Sequence, residues 1–556
     1  MPDQSPALYF HPDMLEGPDR PLVGRRSAGS SFLKGWLRCF DGEELRFVVD
    51  GEAEARACRE IMAERGESRP LRIDALNGAP DFLDAGTVFF PTPGFSRAPW
   101  LRLRGDPARC SLVGITHTVS TRRIIEGLHA LMSEPVEDWD AIICTSRAVR
   151  SVVARQFAEE EAFFRARFGA TRVPQPQLPV IPLGIETADF APRDGARARM
   201  RERHGAPEDA AVILTMGRLS VIEKANPLPL FLAAELLAER LGRPVHLWLC
   251  GWTDREEEAR LHRLGAERVA RNATVRIIDG RDPEIRRNIW AGADVFTLPA
   301  DSIQETFGLV PVEAMAAGLP VVMPDWDGFR DTVRHGETGF LVPTRAAPPG
   351  LGTDFAARFA DGRDGYLHYL TLVQSHVQID VPAYAAALYR VLSDAGLRAR
   401  LGAAAATHAR ETFDWSAVVP RYLDLARELA ALRAGAAPSI ASGPPGRRHP
   451  LEIDPFTLYA DYPTERLAPD RVVALRRRPA AEHIALFDEV SGRKLYKRGV
   501  IRPATLETVI EALARGPKSA TDIAGETGLP LAAVFSALFH LLKSDLARLP
   551  PPSTDP

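Results

Sequence analysis

Short apolar runs alternate with longer stretches of mixed hydrophobic and polar residues through most of the chain. Each short run predicts a buried strand, and each intervening stretch predicts a helix. Strands that alternate with helices indicate parallel sheets, whose ligands lie beyond the carboxyl ends of the strands. The predicted strands of a first series are Ala7–Met14, Leu45–Gly51, Thr87–Pro91, Cys110–Thr118, Trp139–Val149 and Pro179–Glu186. Those of a second series are Ala211–Met216, Val245–Gly251, Thr274–Arg281, Asp294–Pro299 and Pro320–Pro324.

The segments between and after the two series differ in composition. Thr187–Asp209 is polar and rich in arginine, and predicts a hinge between two α/β domains. His335–Pro343 predicts a turn that closes the second sheet region. Val381–Arg433 has the periodic apolar pattern of helices. Residues 434–450 are a low-complexity stretch of Pro, Gly, Ser and Ala, and predict a linker.

The C-terminal segment Pro503–Leu546 predicts three helices separated by turns at Gly516-Pro517 and at Gly528. This is the arrangement of a helix-turn-helix or winged-helix unit. A reader of DNA bases needs Arg, Lys, Asn or Gln on the last helix. The polar side chains on that predicted helix are few: Ser536, His540 and Lys543. We therefore favour a partner-binding or dimerising module and expect no nucleic acid.

Composition narrows the class of protein. With 45% hydrophobic and 26% charged residues and a net charge of -4, the chain reads as a globular protein without a bulk field for nucleic acid or anionic lipid. It has no apolar run of about 18 residues and no signal-peptide pattern. The five cysteines stand singly, which argues against a disulfide framework. We expect a cytoplasmic protein, with a peripheral position on the inner face of the membrane as the alternative.

The segment Asp301–Val333 carries the first candidate site. It follows a predicted strand and contains a glycine-bearing loop and the start of a predicted helix, Val310–Ala317. Free backbone N–H groups and the helix dipole make such a loop an anion site. Glu305 and Glu313 also stand there, and carboxylate oxygens suit the vicinal hydroxyls of a ribose or hexose. An ordinary first-turn acid that complements the helix dipole explains Glu313 equally well.

A second candidate site follows the predicted strand Ala211–Met216, where the chain reads Gly217-Arg218-Leu219-Ser220 and then reaches Lys224. An arginine and a lysine on one strand-to-helix loop can face one diphosphate, the arginine as a fork and the lysine as a point charge. Two solvated surface charges are the alternative. The pattern favours a phosphate site.

Residues 305–322, ETFGLVPVEAMAAGLPVV, resemble the signature of the family 4 retaining, nucleotide-sugar-dependent glycosyltransferases, which have the GT-B fold. The resemblance extends over roughly residues 20–435. It implies that Glu313 holds the nucleotide ribose and that Glu305 lies beside the donor sugar. It further implies that the loop beside them contacts the sugar or phosphate: Thr306, Phe307, Gly308 and Leu309.

The same resemblance extends to the block that contains Gly217, in which the arginine and lysine of the family bind the donor phosphates. Those residues are Arg218 and Lys224 here, although Ala225 stands where the family has glycine. The family places the nucleotide base at a strand end that matches three residues: Asp279, Gly280 and Arg281. It commonly has a histidine near the sugar at a strand end that matches His117, for which a structural role is the alternative.

The resemblance also concerns the loop after the first predicted strand. In the family this loop lies under the donor phosphates or the acceptor. The matching candidates here are Gly24, Arg25 and Gly29. A plain helix cap at Ser30 or Ser31 is the alternative.

The sequence gives less support to a metal site than to a nucleotide-sugar site. D-x-D spacing occurs at Asp138–Asp140 and at Asp325–Asp327, and two carboxylates can hold a hard cation. Three-residue matches are frequent by chance, and the family usually works without a metal, so we expect no metal and no other cofactor. Arg218 and Lys224 would instead offset the charge on the leaving diphosphate of a UDP-sugar or GDP-sugar.

Together these observations predict an α/β protein of the GT-B fold, two Rossmann-like domains facing a cleft. The predicted domains are an N-terminal acceptor domain over 1–190, completed by helices 383–433, a nucleotide-sugar domain over 208–382, a linker over 434–450 and a small helical, winged-helix-like domain over 451–556. The implied activity is retaining, metal-independent hexosyl transfer to a saccharide, a lipid-linked glycan or a protein. Arg218, Lys224, Glu305 and His117 would be the catalytic residues. The alternative is a sugar-nucleotide-sensing regulatory protein whose tail binds nucleic acid or a partner.

Overall fold

A computed structural model of the chain describes residues 5–15, 24–76, 80–437, 449–450, 452–490 and 501–550. The chain forms two compact units, Met1–Arg448 and His449–Pro556. The larger unit contains two parallel six-stranded sheets. Most of the predicted linker, residues 438–448, lies outside the described residues. No described helix combines the length and the hydrophobicity needed to span a bilayer.

The first sheet has the strand order β3-β2-β1-β4-β5-β6. Its strands are β1 (Ala7–Tyr9), β2 (Leu45–Val49), β3 (Leu71–Ala75), β4 (Thr87–Phe89), β5 (Ser111–Ile115) and β6 (Ala141–Ile143). Its helices are α1 (Gly24–Cys39), α2 (Glu52–Glu64), α3 (Ala98–Arg102), α4 (Arg122–Ser133) and α5 (Arg147–Phe168). The central strands are apolar along their whole length because helices cover both faces of the sheet.

The second sheet repeats this topology, with the order β12-β11-β10-β7-β8-β9. Its strands are β7 (Ala211–Arg218), β8 (Val245–Trp252), β9 (Thr274–Asp279), β10 (Val295–Thr297), β11 (Val321–Pro324) and β12 (Gly339–Val342). Its helices are α6 (Ala196–Arg203), α7 (Leu228–Leu241), α8 (Glu256–Arg268), α9 (Pro283–Gly292), α10 (Leu309–Ala316) and α11 (Phe329–Thr332). In both sheets the first and fourth strands are neighbours, as in a Rossmann-like fold. The predicted pair of Rossmann-like domains of the GT-B fold is confirmed.

Three segments differ from their predicted structure. Pro179–Glu186 is not a strand and contributes two isolated bridges, between Cys144 and Val180 and between Ile185 and Asp414. Its prolines lack the N–H that a longer ladder needs. The predicted turn His335–Pro343 contains β12, which pairs with β11 in parallel register. β3 escaped prediction because its five residues are all only half-buried and show no clear alternation.

The segment after β12 is more regular than its sequence suggests. It contains β13 (Thr344–Ala346), α12 (Thr353–Ala360), α13 (Tyr366–Gln374) and β14 (Val377–Ile379), and the strands β13 and β14 pair antiparallel. Three long helices follow: α14 (Val381–Ser393), α15 (Ala395–Phe413) and α16 (Trp415–Ala434).

The return of the chain to the first domain is shorter than the predicted range 383–433. The buried residues of α14 and α15 belong to the cores around the second sheet. Only α16 packs into the first domain, where Trp415, Tyr422 and Leu429 share a core with β1, β2 and α1. The crossing point is Asp414, which accepts hydrogen bonds from Thr187 Oγ1 at 2.6 Å and from Arg38 at 3.0 Å.

The smaller unit has a helical core with a small antiparallel sheet in the order β16-β15-β17. Its helices are α17 (Pro455–Leu458), α18 (Ala481–Val490), α19 (Pro503–Ala514), α20 (Ala520–Thr527) and α21 (Leu531–Lys543). Its strands are β15 (Val472–Leu475), β16 (Lys518–Ser519) and β17 (Ala547–Arg548). The predicted helical C-terminal region is confirmed. His540 on α21 is buried and lies 3.6 Å from Asp488, so it contributes to the core of this unit.

A buried ion pair fixes the loop before β6 in the first domain. Arg102 contacts both carboxylate oxygens of Asp140, at 2.6 and 2.7 Å, and both side chains are completely buried. The backbone N–H groups of Leu112 and Glu137 donate to the same carboxylate. We predict that Asp140→Ala lowers the free energy of unfolding by about 3–5 kcal/mol, because it leaves the Arg102 charge buried and unpaired.

Asp138→Ala is the matched control two positions away. Asp138 pairs with Arg172 at an exposed site, and its loss should change the stability by less than about 1 kcal/mol. Urea-induced unfolding followed by circular dichroism measures both variants. Equal losses in the two variants would contradict this interpretation.

Candidate functional site

The order of the second sheet determines where its ligand crevice lies. β7 and β10 are neighbours at the point where the sheet changes its direction of growth, and ligands of such sheets bind beyond the strand ends at this point. The segments that follow these two strands are the two candidate sites predicted from the sequence. Lys224 Nζ lies 3.4 Å from Glu305 Oε2. The structure therefore brings together two motifs that are 81 residues apart in the chain.

The loop after β7 is fixed by hydrogen bonds to its neighbours. Leu219 N donates to Trp252 O at 2.8 Å, and Ser220 Oγ donates to the buried Glu258 at 2.8 Å. Arg218 lies 3.3 Å from Glu223 and keeps about a third of its side-chain surface exposed (34%). A polar pocket opens beside Arg218 and is also lined by Thr253, Asp254 and Arg255 of the next strand end. Sequence reasoning missed Arg255, since charges are common at the start of a helix such as α8.

Glu305 is a carboxylate held in its ionised form. Its Oε1 accepts a hydrogen bond from Thr306 N at 3.3 Å, and Lys224 contacts Oε2. Burial opposes ionisation, but the charge of Lys224 and the N–H groups of Thr306 and Phe307 outweigh it, so the pKa of Glu305 is lowered. Glu305 can therefore accept hydrogen bonds from ligand hydroxyls at neutral pH.

Glu313 differs from Glu305 in its surroundings. It lies on the second turn of α10, partly open to the crevice. Burial raises the pKa of Glu313 to about 7, and the charges of Arg286 and Lys224 only partly oppose this shift. Burial removes water from the Glu313 carboxylate. A ligand that donates hydrogen bonds to it would replace that lost solvation.

The start of α10 presents backbone N–H groups to the crevice. Gly308 precedes the helix in a left-handed conformation (φ 88°), and no side chain caps the first turn. Gly328 packs so closely that a Cβ there would lie 2.4 Å from Phe307 Cα, which holds the loop in place. The Phe307 side chain is buried in the core, and the backbone N–H groups of Thr306 and Phe307 contact the Glu305 carboxylate.

The two Rossmann-like domains meet at this loop. Thr306 Oγ1 donates to the backbone oxygen of His117 at 3.0 Å, and the His117 ring bonds Pro91 O at 2.8 Å. Farther along the cleft, Tyr366 bridges Ser120 of the first domain, at 2.8 Å, and Gln304 of the second, at 3.1 Å. His117 therefore lies beside residues 306–309, the predicted donor loop. Sequence reasoning missed Tyr366 and Ser120, because nothing in the sequence places α13 against the other domain.

The predicted base-binding residues lie at the same edge of the sheet, two strands away from β7. Arg281 contacts Asp279 at 2.8 Å, and both side chains are more than half exposed. Gly280 packs against β8, where a Cβ would lie 3.1 Å from Gly251 Cα. Within the described residues, no hydrogen bond or ion pair joins these three residues to Glu305 or Arg218, so their role stays a prediction.

The predicted N-domain loop is wrong in its local structure. Gly24, Arg25 and Gly29 lie in α1 and not in a loop. Gly29 allows the helix to approach the end of the preceding segment, because a Cβ there would lie 2.3 Å from Met14 O. The side chain of Arg25 lies outside the described residues. The glycine thus marks a close contact between backbones.

The two D-x-D matches do not form paired ligands. Asp140 is buried against Arg102, and Asp325 lies 3.0 Å from Arg330. Within the described ranges, no group of three His, Cys, Asp or Glu side chains could hold a metal ion. Asp327 has a left-handed backbone (φ 44°), and its Oδ2 is buried without a hydrogen-bond partner among the described residues. Burial and then the charge of Glu305 raise the pKa of Asp327 well above its usual range.

Asp301 is a further residue that the sequence did not indicate. It follows β10, is almost fully buried, and accepts hydrogen bonds from Asn226 N at 3.1 Å and from Gln374 at 2.7 Å. Burial raises the pKa of Asp301 to about 6, against the effect of these two hydrogen bonds. Asp301 joins the loops after β7 and β10 and thereby supports the Lys224–Glu305 contact. Its position directly after a strand was the available signal.

Comparison with known proteins bears on the same domain. Residues 196–348 match the family model of glycosyl transferases group 1. A D-inositol 3-phosphate glycosyltransferase of Acidothermus cellulolyticus is 33% identical over 267 residues, which are 47% of this chain and 50% of that protein. One from Corynebacterium efficiens is 27% identical over 320 residues, 57% of this chain and 66% of that protein. The chain thus spans between half and two thirds of these curated relatives.

Among solved structures, a sucrose-phosphate synthase of Thermosynechococcus elongatus is 19% identical, with a TM-score of 0.46. The alignment covers 77% of this chain and all of that one. The family match spans α6 to the segment after β13 and includes both Arg218 and Lys224 and both Glu305 and Glu313. Over this segment the resemblance to the family 4 glycosyltransferases is confirmed.

Proposed function

We propose that the protein transfers a hexosyl group from a nucleoside diphosphate sugar, a UDP-sugar or GDP-sugar, to an acceptor with retention of configuration. The observation that carries the proposal is the Lys224–Glu305 contact at the crevice of the second sheet, beside Arg218 and the start of α10. Cations and free N–H groups suit a diphosphate, and carboxylates suit sugar hydroxyls. The same crevice offers groups for the diphosphate and groups for the sugar.

In this proposal Arg218 and Lys224 bind the diphosphate. Each is held by a carboxylate in the free protein, Arg218 by Glu223 and Lys224 by Glu305. A bound diphosphate brings more negative charge than either carboxylate and competes for both cations. As the sugar leaves, the two cations and the N–H groups of α10 stabilise the charge that develops on the phosphate. They would fill the role that a metal ion plays elsewhere, so the reaction is proposed to need none.

Glu305 and Glu313 have different tasks. Glu305, ionised and beside Lys224, would accept hydrogen bonds from hydroxyls of the donor sugar. Glu313 would bind the two ribose hydroxyls of the nucleotide, which resolvate a carboxylate that the empty site penalises. Asp279, Gly280 and Arg281 are proposed to contact the base.

His117 is proposed to lie where the acceptor approaches the donor sugar. This proposal is supported by its backbone oxygen, which accepts a hydrogen bond from Thr306. Retention without a covalent intermediate requires the acceptor hydroxyl to attack from the face that the diphosphate leaves. No residue of the crevice is proposed as a covalent nucleophile.

The smaller unit gives little support to the alternative of a regulatory protein that binds nucleic acid. On α21, His540 is buried in the core, which leaves Ser536 and Lys543 as its polar side chains toward a nucleic acid. A partner-binding or dimerising role for residues 451–556 is proposed instead. Phe456 and Tyr462 are 86% and 84% exposed there.

A nucleotide panel tests the donor site. We predict that UDP or GDP, alone or as the nucleotide sugar, raises the melting temperature of the protein, with ADP and CMP as comparisons. A ligand at about 100-fold over its Kd stabilises the folded state by about 2.7 kcal/mol. Arg218→Ala and Glu313→Ala should abolish the shift, because one removes a phosphate ligand and the other the ribose ligand.

Arg263→Ala and Glu337→Ala are controls on exposed surface of the same domain and should keep the full shift. Protection that persists unchanged in both Arg218→Ala and Glu313→Ala would place the nucleotide elsewhere. If none of the nucleotides raises the melting temperature, the proposed donor site is rejected.

Because the pKa of Glu313 is raised, we predict that Glu313→Gln increases the stability of the folded protein by an amount that depends on pH. The carboxyl group ionises near pH 4.5 in the unfolded chain and near pH 7 in the folded protein, so the wild type loses stability as the pH rises between these values. The variant lacks this loss. It should match the wild type near pH 4 and be more stable at pH 8, by up to about 3 kcal/mol.

Thermal or urea unfolding at a series of pH values measures the difference between the two proteins. Glu337→Gln, at an exposed site, should show a difference that hardly changes with pH. A gain for Glu313→Gln that is equally large at pH 4 and at pH 8 would contradict the assigned shift.

A further inference from the structure

We infer that the acceptor carries its hydroxyl on a hydrocarbon body, which binds in an apolar cavity at the crevice of the first sheet. The inference rests on the proposed function and names the chemistry of its acceptor. It follows from the position of the cavity, from its lining and from its connection to the donor loop.

The cavity lies at the same topological position in the first sheet that the donor site occupies in the second. β1 and β4 are neighbours where the first sheet changes its direction of growth, which is where such sheets bind ligands. The cavity opens there, between the ends of these strands, α1 and α16.

The lining of the cavity selects against a charged or sugar-like ligand. No Asp, Glu, Lys or Arg is among the described residues that line it. The walls are formed by side chains such as Phe10, Phe32, Phe89, Val113 and Trp415. A polyhydroxylated acceptor would lose its hydration here without replacement. A hydrocarbon loses none, and each buried CH₂ group favours binding.

One of the lining residues, Tyr422, has a buried hydroxyl without a hydrogen-bond partner among the described residues. By contrast, the hydroxyl of Tyr9 donates to Asp50 at 2.7 Å. Buried hydroxyls are nearly always paired in folded proteins. An occupant with a hydrocarbon body and an isolated oxygen would satisfy Tyr422.

His117 links the lining of the cavity to the loop that contains Thr306. This residue lines the cavity, and its backbone oxygen accepts the hydrogen bond from Thr306 of the donor loop. An acceptor hydroxyl that reaches the donor sugar at Thr306 therefore has the cavity directly behind it. The body of the acceptor extends into that space.

A homologous series of n-alkanols tests the inference. Binding of butanol, hexanol and octanol to the full-length protein is measured by isothermal titration calorimetry. Each added CH₂ group that enters the cavity should tighten binding about fourfold. Ala28→Phe, which fills the cavity from α1, should weaken octanol binding at least tenfold. Ala53→Phe, on the exposed face of α2, should not.

A second variant and a second readout separate folding and function from acceptor binding. Phe32→Ala enlarges the cavity and should shift the preferred alkanol to a longer chain. Nucleotide protection should be the same in Ala28→Phe as in the wild type. With the nucleotide sugar that protects, octanol should accelerate release of the nucleoside diphosphate in the wild type and not in Ala28→Phe.

Alkanol affinities that do not depend on chain length, or that survive Ala28→Phe, would overturn the inference. So would octanol that binds without accelerating nucleotide release. Loss of nucleotide protection in the wild type itself would instead contradict the proposed function.

Discussion

The ion pair between Lys224 and Glu305 is the contact on which the candidate site depends. Its two residues come from loops that are far apart in the chain and adjacent in space, because β7 and β10 are neighbours in the second sheet. Asp301 also joins these two loops, because it accepts a hydrogen bond from Asn226 N. It accepts a second hydrogen bond from Gln374 of α13. The pair keeps a cation and a carboxylate partly buried at the mouth of the crevice, each ready to exchange its partner for a ligand.

The two Rossmann-like domains have crevices at equivalent positions that are lined by different kinds of side chain. In the second domain the strand ends carry arginine, lysine and glutamate, together with the uncapped start of α10. In the first domain the equivalent strand ends enclose aromatic and aliphatic side chains. Thr306 and His117 connect the two crevices by one hydrogen bond. The division suits the proposed reaction, in which a charged nucleotide and an apolar acceptor approach a common point from opposite domains.

Local sequence was sufficient for much of this arrangement. The apolar runs predicted the central strands, since strands covered on both faces are apolar throughout. The segments around Arg218 and Glu313 were recognisable because each combines a strand end, a glycine and charged side chains. The same local reasoning failed for β3, whose residues are half-buried, and for Gly24–Gly29, where glycine serves a contact between backbones.

What local sequence could not predict depends on tertiary packing. Tyr366 reaches Ser120 only because α13 lies over the cleft, and Asp301 meets Gln374 across a long stretch of chain. The return of α16 to the first domain begins at Trp415, and helical periodicity does not distinguish α16 from α14 or α15. The apolar cavity is formed by residues that read in the sequence as ordinary core, so its existence required the assembled fold.

Hydrogen–deuterium exchange with and without nucleotide tests the central claim most directly, that the loops after β7 and β10 form one nucleotide-sugar site. With saturating UDP or GDP, peptides over residues 217–225 and 301–316 should exchange more slowly together, and peptides over 274–281 should follow. Peptides over 503–546 should be unaffected. Slower exchange in only one of the two loops, or in neither, would contradict a shared site.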